Sequence, residues 1–139
     1  MAEPTESQLA KLLSLPENAP LAALNLFRFR DRAEYQHEDP EYGTSEADVT
    51  GAVAFERYTA MAESYISKCG GRIVFSTPVD QVMIGAEQPD WDEAAVMFFP
   101  ARSEFVAMLS DPEFQKLSRH RKAALADHYL LHLNGAPFA

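Results

Sequence analysis

Residues 91–133 read WDEAAVMFFP ARSEFVAMLS DPEFQKLSRH RKAALADHYL LHL, and this stretch decides the fold. Trp91-Asp92 introduces an apolar run, Ala94–Phe99, too short for a helix and ended by Pro100, which reads as a strand. Pro100 lets a helix start at about Ala101, with Phe105, Val106 and Leu109 as its inner side. Ser110-Asp111-Pro112-Glu113 restarts the helix: a capping side chain, a proline in the first turn, and a glutamate three residues after Ser110. Phe114, Leu117, Arg121, Ala124 and Leu125 share one stripe. His128–Leu133 is then a second strand, closed by Asn134-Gly135.

Working outward, Gly51–Lys68 is a helix whose Phe55, Tyr58, Ala62, Tyr65, Ile66 and Cys69 recur at three, four and seven residues. Gly70-Gly71 supplies its left-handed stop. Arg72–Ser76 reads as a strand, bent at Thr77-Pro78 and continued over Val79–Gly85, with a turn at Glu87–Asp90. Leu21–Arg30 is the first strand, with Ala23, Asn25, Phe27 and Phe29 on one side and Leu24, Leu26, Arg28 and Arg30 on the other. Thr5–Leu15 is a short amphipathic helix carrying Leu9, Leu12 and Leu13, stopped by Pro16 and Pro20. Asp31–Thr50 is irregular and acidic, broken by Pro40 and Gly43, and longer than most connections. His37, Glu38, Asp39 and Glu41 lie in it without a recognisable ligand spacing, so it reads as a solvated loop and no metal is expected. The expected organisation is a helical appendage over residues 1–20 and a single domain over 21–139 with a loop insertion at 31–50.

The order β-α-β-β-α-β is the ferredoxin-like plan: an α+β fold, with an antiparallel sheet carrying two helices on one face. A monomeric version should read polar at alternate strand positions on the uncovered face. The middle of Leu21–Arg30 and all of Ala94–Phe99 are instead apolar on both sides. Two covers are conceivable: the N-terminal helix with the acidic loop, or the sheet of a second copy in a two-fold dimer. Burying about 800 Å² per partner at about 25 cal/mol per Å² would drive the second strongly.

The bulk properties narrow the function classes. A chain of 139 residues, 47% hydrophobic and 24% charged, is long enough for one real core. A formal net charge of −9 disfavours nucleic acid and anionic membrane surfaces as partners. No apolar run approaches the ~18–20 residues that cross a bilayer. Cys69 is the single cysteine, which excludes an intramolecular disulfide and reads as a small buried hydrophobe. The acidic N-terminus lacks the pattern of a signal peptide, so the cytoplasm is the default location.

Few residues carry potential chemistry. Arg121 sits on an apolar stripe, where a guanidinium needs a carboxylate partner, a route to solvent, or an anionic ligand to clamp. His120 beside it titrates near neutral pH and is the candidate acid or base. Asn25 is a polar group inside an apolar strand, and Arg28 lies on that strand's other side. Tyr58 and Trp91 can wall a pocket and donate one hydrogen bond each. His128 and His132 point either between sheets or toward the helices, depending on strand parity; at ~13 Å apart they cannot share one metal. No nucleophile elbow, phosphate loop, zinc signature or dinucleotide fingerprint is present.

Several of these residues fall in a familiar pattern. Leu24-Asn25-Leu26-Phe27-Arg28-Phe29, Tyr58, Gly70-Gly71-Arg72, Trp91-Asp92, Phe98-Phe99-Pro100-Ala101-Arg102, Phe105, Asp111-Pro112-Glu113-Phe114 and His120-Arg121-Lys122-Ala123-Ala124-Leu125 resemble the family called domain of unknown function 1330. The resemblance spans roughly Leu21 to Leu133. It implies the dimeric α+β barrel superfamily, which includes cofactor-free monooxygenases, lactone isomerases, haem proteins and stress-induced proteins, with ligands held between sheet and helices. It supplies no reaction. The resulting expectation is a homodimer that binds a small organic molecule without a cofactor. Two roles stay open: proton transfer or oxygenation, with His120 and Arg121 catalytic and Asn25, Arg28, Tyr58 and Trp91 binding, or a non-enzymatic binding or stress-related role. The N-terminal helix and the acidic loop are departures that either cap a pocket or extend the dimer contact.

Overall fold

The computed structural model describes residues 3–136. Its elements follow from local chemistry. Helix α1 (Glu6–Ser14) is opened by a capping box in which Thr5 and Gln8 exchange backbone-to-side-chain hydrogen bonds of 3.1 and 2.8 Å. Strand β1 spans Leu21–Phe29, and helix α2 (Gly51–Lys68) is capped by the Thr50 hydroxyl, which accepts from the Val53 N–H. Strands β2 (Arg72–Pro78) and β3 (Glu93–Phe99) follow, then helices α3 (Arg102–Ser110) and α4 (Pro112–Ala124), then strand β4 (Leu125–Asn134). The four strands lie in the order β2-β3-β1-β4 with every neighbouring pair antiparallel, which is the ferredoxin-like sheet.

The structure corrects three local expectations. Val79–Gly85 is not a strand: β2 ends at Pro78, which has no N–H to continue a ladder, and Val79 N–H bonds to Asp92 O at 3.0 Å to close an irregular excursion. Met83 and Ile84 stand exposed on that excursion. The cap of α4 is Asp111, which accepts from the Glu113 N–H at 2.9 Å; the Ser110 hydroxyl instead donates back to Val106 O at the end of α3. Finally, Leu125 does not belong to the helix stripe. Helix α4 passes directly into β4 there, so the last strand starts earlier than His128.

Pleating sorts the strands onto two faces. Leu21, Ala23, Asn25 and Phe27 of β1 are buried toward the helices, together with Ala95 and Phe99 and the partly buried Met97 of β3. One core cluster joins Leu21 and Phe99 to Ala62, Ile66, Phe105, Met108, Phe114 and Leu117; a second joins Phe27 and Ala95 to Tyr35, Phe55, Ala123 and Leu125. On the opposite face Leu24 lies in register with Val96 and Leu131, and Ala22 with Phe98 and Leu133. Phe75, Tyr129, Leu131 and Leu133 are exposed there. Leu12 of α1 packs into the first cluster and Tyr35 of the acidic loop into the second, so both segments lie on the helix side and neither covers this face.

The acidic loop is a closed, ordered excursion. Arg30 N–H bonds to Ala124 O at 2.8 Å and Gly51 N–H to Arg30 O at 3.1 Å, so the two ends of the loop meet against the end of α4. Gly51 is required by this close approach, since a Cβ there would stand 2.2 Å from Arg30 O.

Candidate functional site

Asn25 of β1, His128 of β4 and Arg121 of α4 form one polar chain on the helix side. Antiparallel pairing sets Phe27 opposite His128, and this parity turns the imidazole inward beside Asn25. His128 Nε2 lies 2.8 Å from Asn25 Oδ1, and His128 Nδ1 lies 3.5 Å from Arg121 Nη1. The tautomer follows from the partners. Arginine can only donate, so Nδ1 accepts and Nε2–H donates to the amide oxygen. The Asn25 amide is thereby oriented, with Nδ2 donating to Ala23 O at 3.2 Å and directed at Met97 Sδ at 3.7 Å.

The surroundings of this chain are apolar. The His128 ring packs on Phe27 at 4.8 Å between centroids, and Phe27 packs in turn on Phe55 at 4.6 Å. Burial, and next the charge of Arg121, push the His128 imidazole down to a pKa of about 4. Tyr58 of α2 stacks loosely on Phe55 and edge-on to Phe114; burial raises its phenol pKa, and the charges of Arg121 and Glu3 act on it with opposite sign. The outer end of the chain is closed by the segment before α1. The Glu3 carboxylate accepts from Arg121 Nη2 and also lies 3.5 Å from Lys122 Nζ.

His120 occupies a different neighbourhood, contrary to the expectation that it would join Asn25 and Arg121. Adjacent helical residues diverge by about 100°, so its ring points toward the acidic loop while Arg121 points toward β4. Tyr35 OH is hydrogen-bonded to His120 Nδ1 at 2.7 Å and accepts from Arg57 Nη1 at 3.0 Å. Arg119 grips the buried Glu41 carboxylate with a bidentate pair of 2.9 and 3.0 Å. Burial and then Arg119 lower the His120 pKa, and the hydrogen bond from Arg119 lowers that of Glu41.

The two other candidates are elsewhere again. Arg28 lies on the open sheet face, 3.7 Å from Asp127, and Trp91 meets Tyr129 edge-on at 6.4 Å beside that face. Of the sequence candidates, Asn25, Tyr58 and Arg121 come together; His120, Arg28 and Trp91 do not join them. His128 is the member that sequence reasoning left unassigned. Its signal was present: His128 and His132 interrupt a strand whose alternate positions, Tyr129, Leu131 and Leu133, are apolar, which marks the histidine side as polar for a reason.

Two concavities flank these groups without reaching them. One, of about 550 Å³, lies on the open face and is lined by Ala22, Val74, Phe75, Val96 and Leu133. The other, of about 380 Å³, lies between the acidic loop and α4, with Glu38, Asp39, Lys116 and Arg119 at its walls. Among the described residues no three His, Cys, Asp or Glu side chains converge as metal ligands. No helix among them is long and apolar enough to cross a membrane.

Comparison with known proteins adds fold and family. The chain is similar to RPA0582, a protein of unknown function from Rhodopseudomonas palustris, with 28% identity and a TM-score of 0.83 over 96% of this chain and 95% of that one. The structure of the methylated RPA0582 protein gives 28% identity and a TM-score of 0.85 over 98% and 95% of the two chains. No curated protein matches significantly. The family model described as domain of unknown function DUF1330 matches residues 40–133, more than half of the sequence, and the chain belongs to that family.

Proposed function

We propose that this protein is a homodimer, joined through its open sheet face, that binds a small organic molecule at the Asn25–His128–Arg121 chain with Tyr58 and Phe27 as walls. The observation that carries the ligand reading is the polar chain itself. A permanent cation, a neutral imidazole of fixed tautomer and an oriented amide stand in line inside an apolar layer. Burying such groups costs stability unless their arrangement serves recognition or fold specificity. Arg28 and Trp91 then belong to the dimer face, and His120 to the docking of the acidic loop.

Binding is favoured over proton transfer by the histidines. A general base works best when its pKa lies near the operating pH, whereas burial lowers both His120 and His128, the latter to about 4. The dimer reading rests on the row Leu24, Val96, Leu131 and its neighbours, an apolar patch that neither α1 nor the acidic loop covers among the described residues. A cytoplasmic location agrees with this composition.

Sedimentation equilibrium tests the dimer. The wild-type chain should sediment as a dimer at micromolar concentration, and Leu131→Lys, at an exposed edge-strand position, should sediment as a folded monomer. A monomeric wild type overturns the dimer.

A further inference from the structure

We propose that Glu3 is an internal carboxylate ligand of the Arg121 site, and that the external ligand taken there is a small carboxylate with an apolar body, which displaces it. The inference rests on the binding reading above and names its ligand class. The two ends of the ion pair are unequal. The Arg121 side chain is only 12% exposed while that of Glu3 is 42% exposed, so the guanidinium belongs to the fold and the carboxylate reaches it from outside. Arg121 is seated by α4 and by His128; Glu3 is carried by the segment before α1.

That segment is lightly held. Leu12 is its buried anchor, whereas Leu9 and Leu13 face solvent at 40% and 68% exposure. The Thr5–Gln8 capping box is internal to α1, so the helix keeps its own start when it lifts from the body. Neither concavity described above is lined by Asn25, Arg121 or His128, and the entry route that belongs to this proposal is movement of this segment. A guanidinium fork matches a carboxylate, and Phe27 and Tyr58 supply apolar and aromatic contact beyond it. A tethered carboxylate competes at the effective concentration that its connection to the body imposes, which weakens every external carboxylate by a common factor.

The test is calorimetric titration of the full-length chain with benzoate, with benzamide as the uncharged control. Glu3→Gln and Glu3→Ala should each bind benzoate at least tenfold more tightly than wild type, with benzamide affinity unchanged by either substitution. Equal benzoate affinity in wild type and both variants, weakened by Arg121→Lys, overturns the internal-ligand role and leaves the binding site standing. If neither Glu3 variant binds millimolar benzoate while circular dichroism shows both folded, the site and the internal ligand fall together.

Discussion

Helix α4 borders two histidine neighbourhoods, one around its own buried His120 and one around the half-buried His128 of β4, and they are built differently. Around His120, each partner comes from a segment that is itself tied down: Tyr35 and Glu41 from a loop whose ends are sewn to Ala124 and Gly51, Arg57 from α2, Arg119 from α4. Around His128, two partners come from the sheet and α4, but the chain is finished by Glu3 on a lightly anchored segment. Both imidazoles are held neutral by burial followed by an adjacent arginine. The contrast separates a polar cluster that fastens an insertion from one whose outermost member is proposed above to be exchangeable. On the reading proposed above, similar residue types serve a structural joint in one place and a recognition site in the other.

Three measurements test this contrast. The largest effect is expected at the joint. His120→Ala opens a cavity and deprives the buried Tyr35 hydroxyl of its hydrogen-bond partner, and should cost about 3–4 kcal/mol in urea unfolding. A loss below about 1 kcal/mol would mean that the acidic loop is not fastened there.

The next concerns pH. His128 titrates at about 4 in the folded chain against an ordinary 6.5, so between those values the unfolded chain binds the extra proton. Its contribution is therefore fully present above about pH 6.5 and is lost as pH falls toward 4, by about 2–3 kcal/mol. His120 and His132 are shifted the same way and add to the slope. His128→Asn should flatten that limb in a series of unfolding curves; an unchanged slope would show that the imidazole is not desolvated as described.

The smallest effect is expected at Glu3. Glu3→Gln should change stability by less than about 1 kcal/mol, because its carboxylate is partly solvated and its segment is lightly held. A larger loss, measured by the same unfolding curves, would make Glu3 a structural element like Glu41.

Much of the architecture was legible. The alternation in Leu21–Arg30, the run Ala94–Phe99 and the periodic helix Gly51–Lys68 fixed element types because periodicity reports which side meets an apolar layer. The excess of apolar residues on both strand faces marked a sheet that is apolar on either side, and Asn25, Tyr58 and Arg121 stood out as polar or amphipathic groups at core positions. Residues 79–85 misled because Val79, Val82 and Ile84 carry strand propensity, while the proline before them had already ended the ladder. His120 misled because adjacency to Arg121 in sequence is divergence on a helix.

The sequence by itself determined the order of elements, the doubly apolar sheet and the presence of an arginine on an inward stripe, since these are properties of local spacing. Tertiary structure alone decided which polar groups meet. The register that sets His128 opposite Phe27, and the path that brings Glu3 to Arg121 across the whole length of the chain, depend on contacts between distant segments. Local periodicity carries no information about such pairings, because it gives each residue a side but not a neighbour.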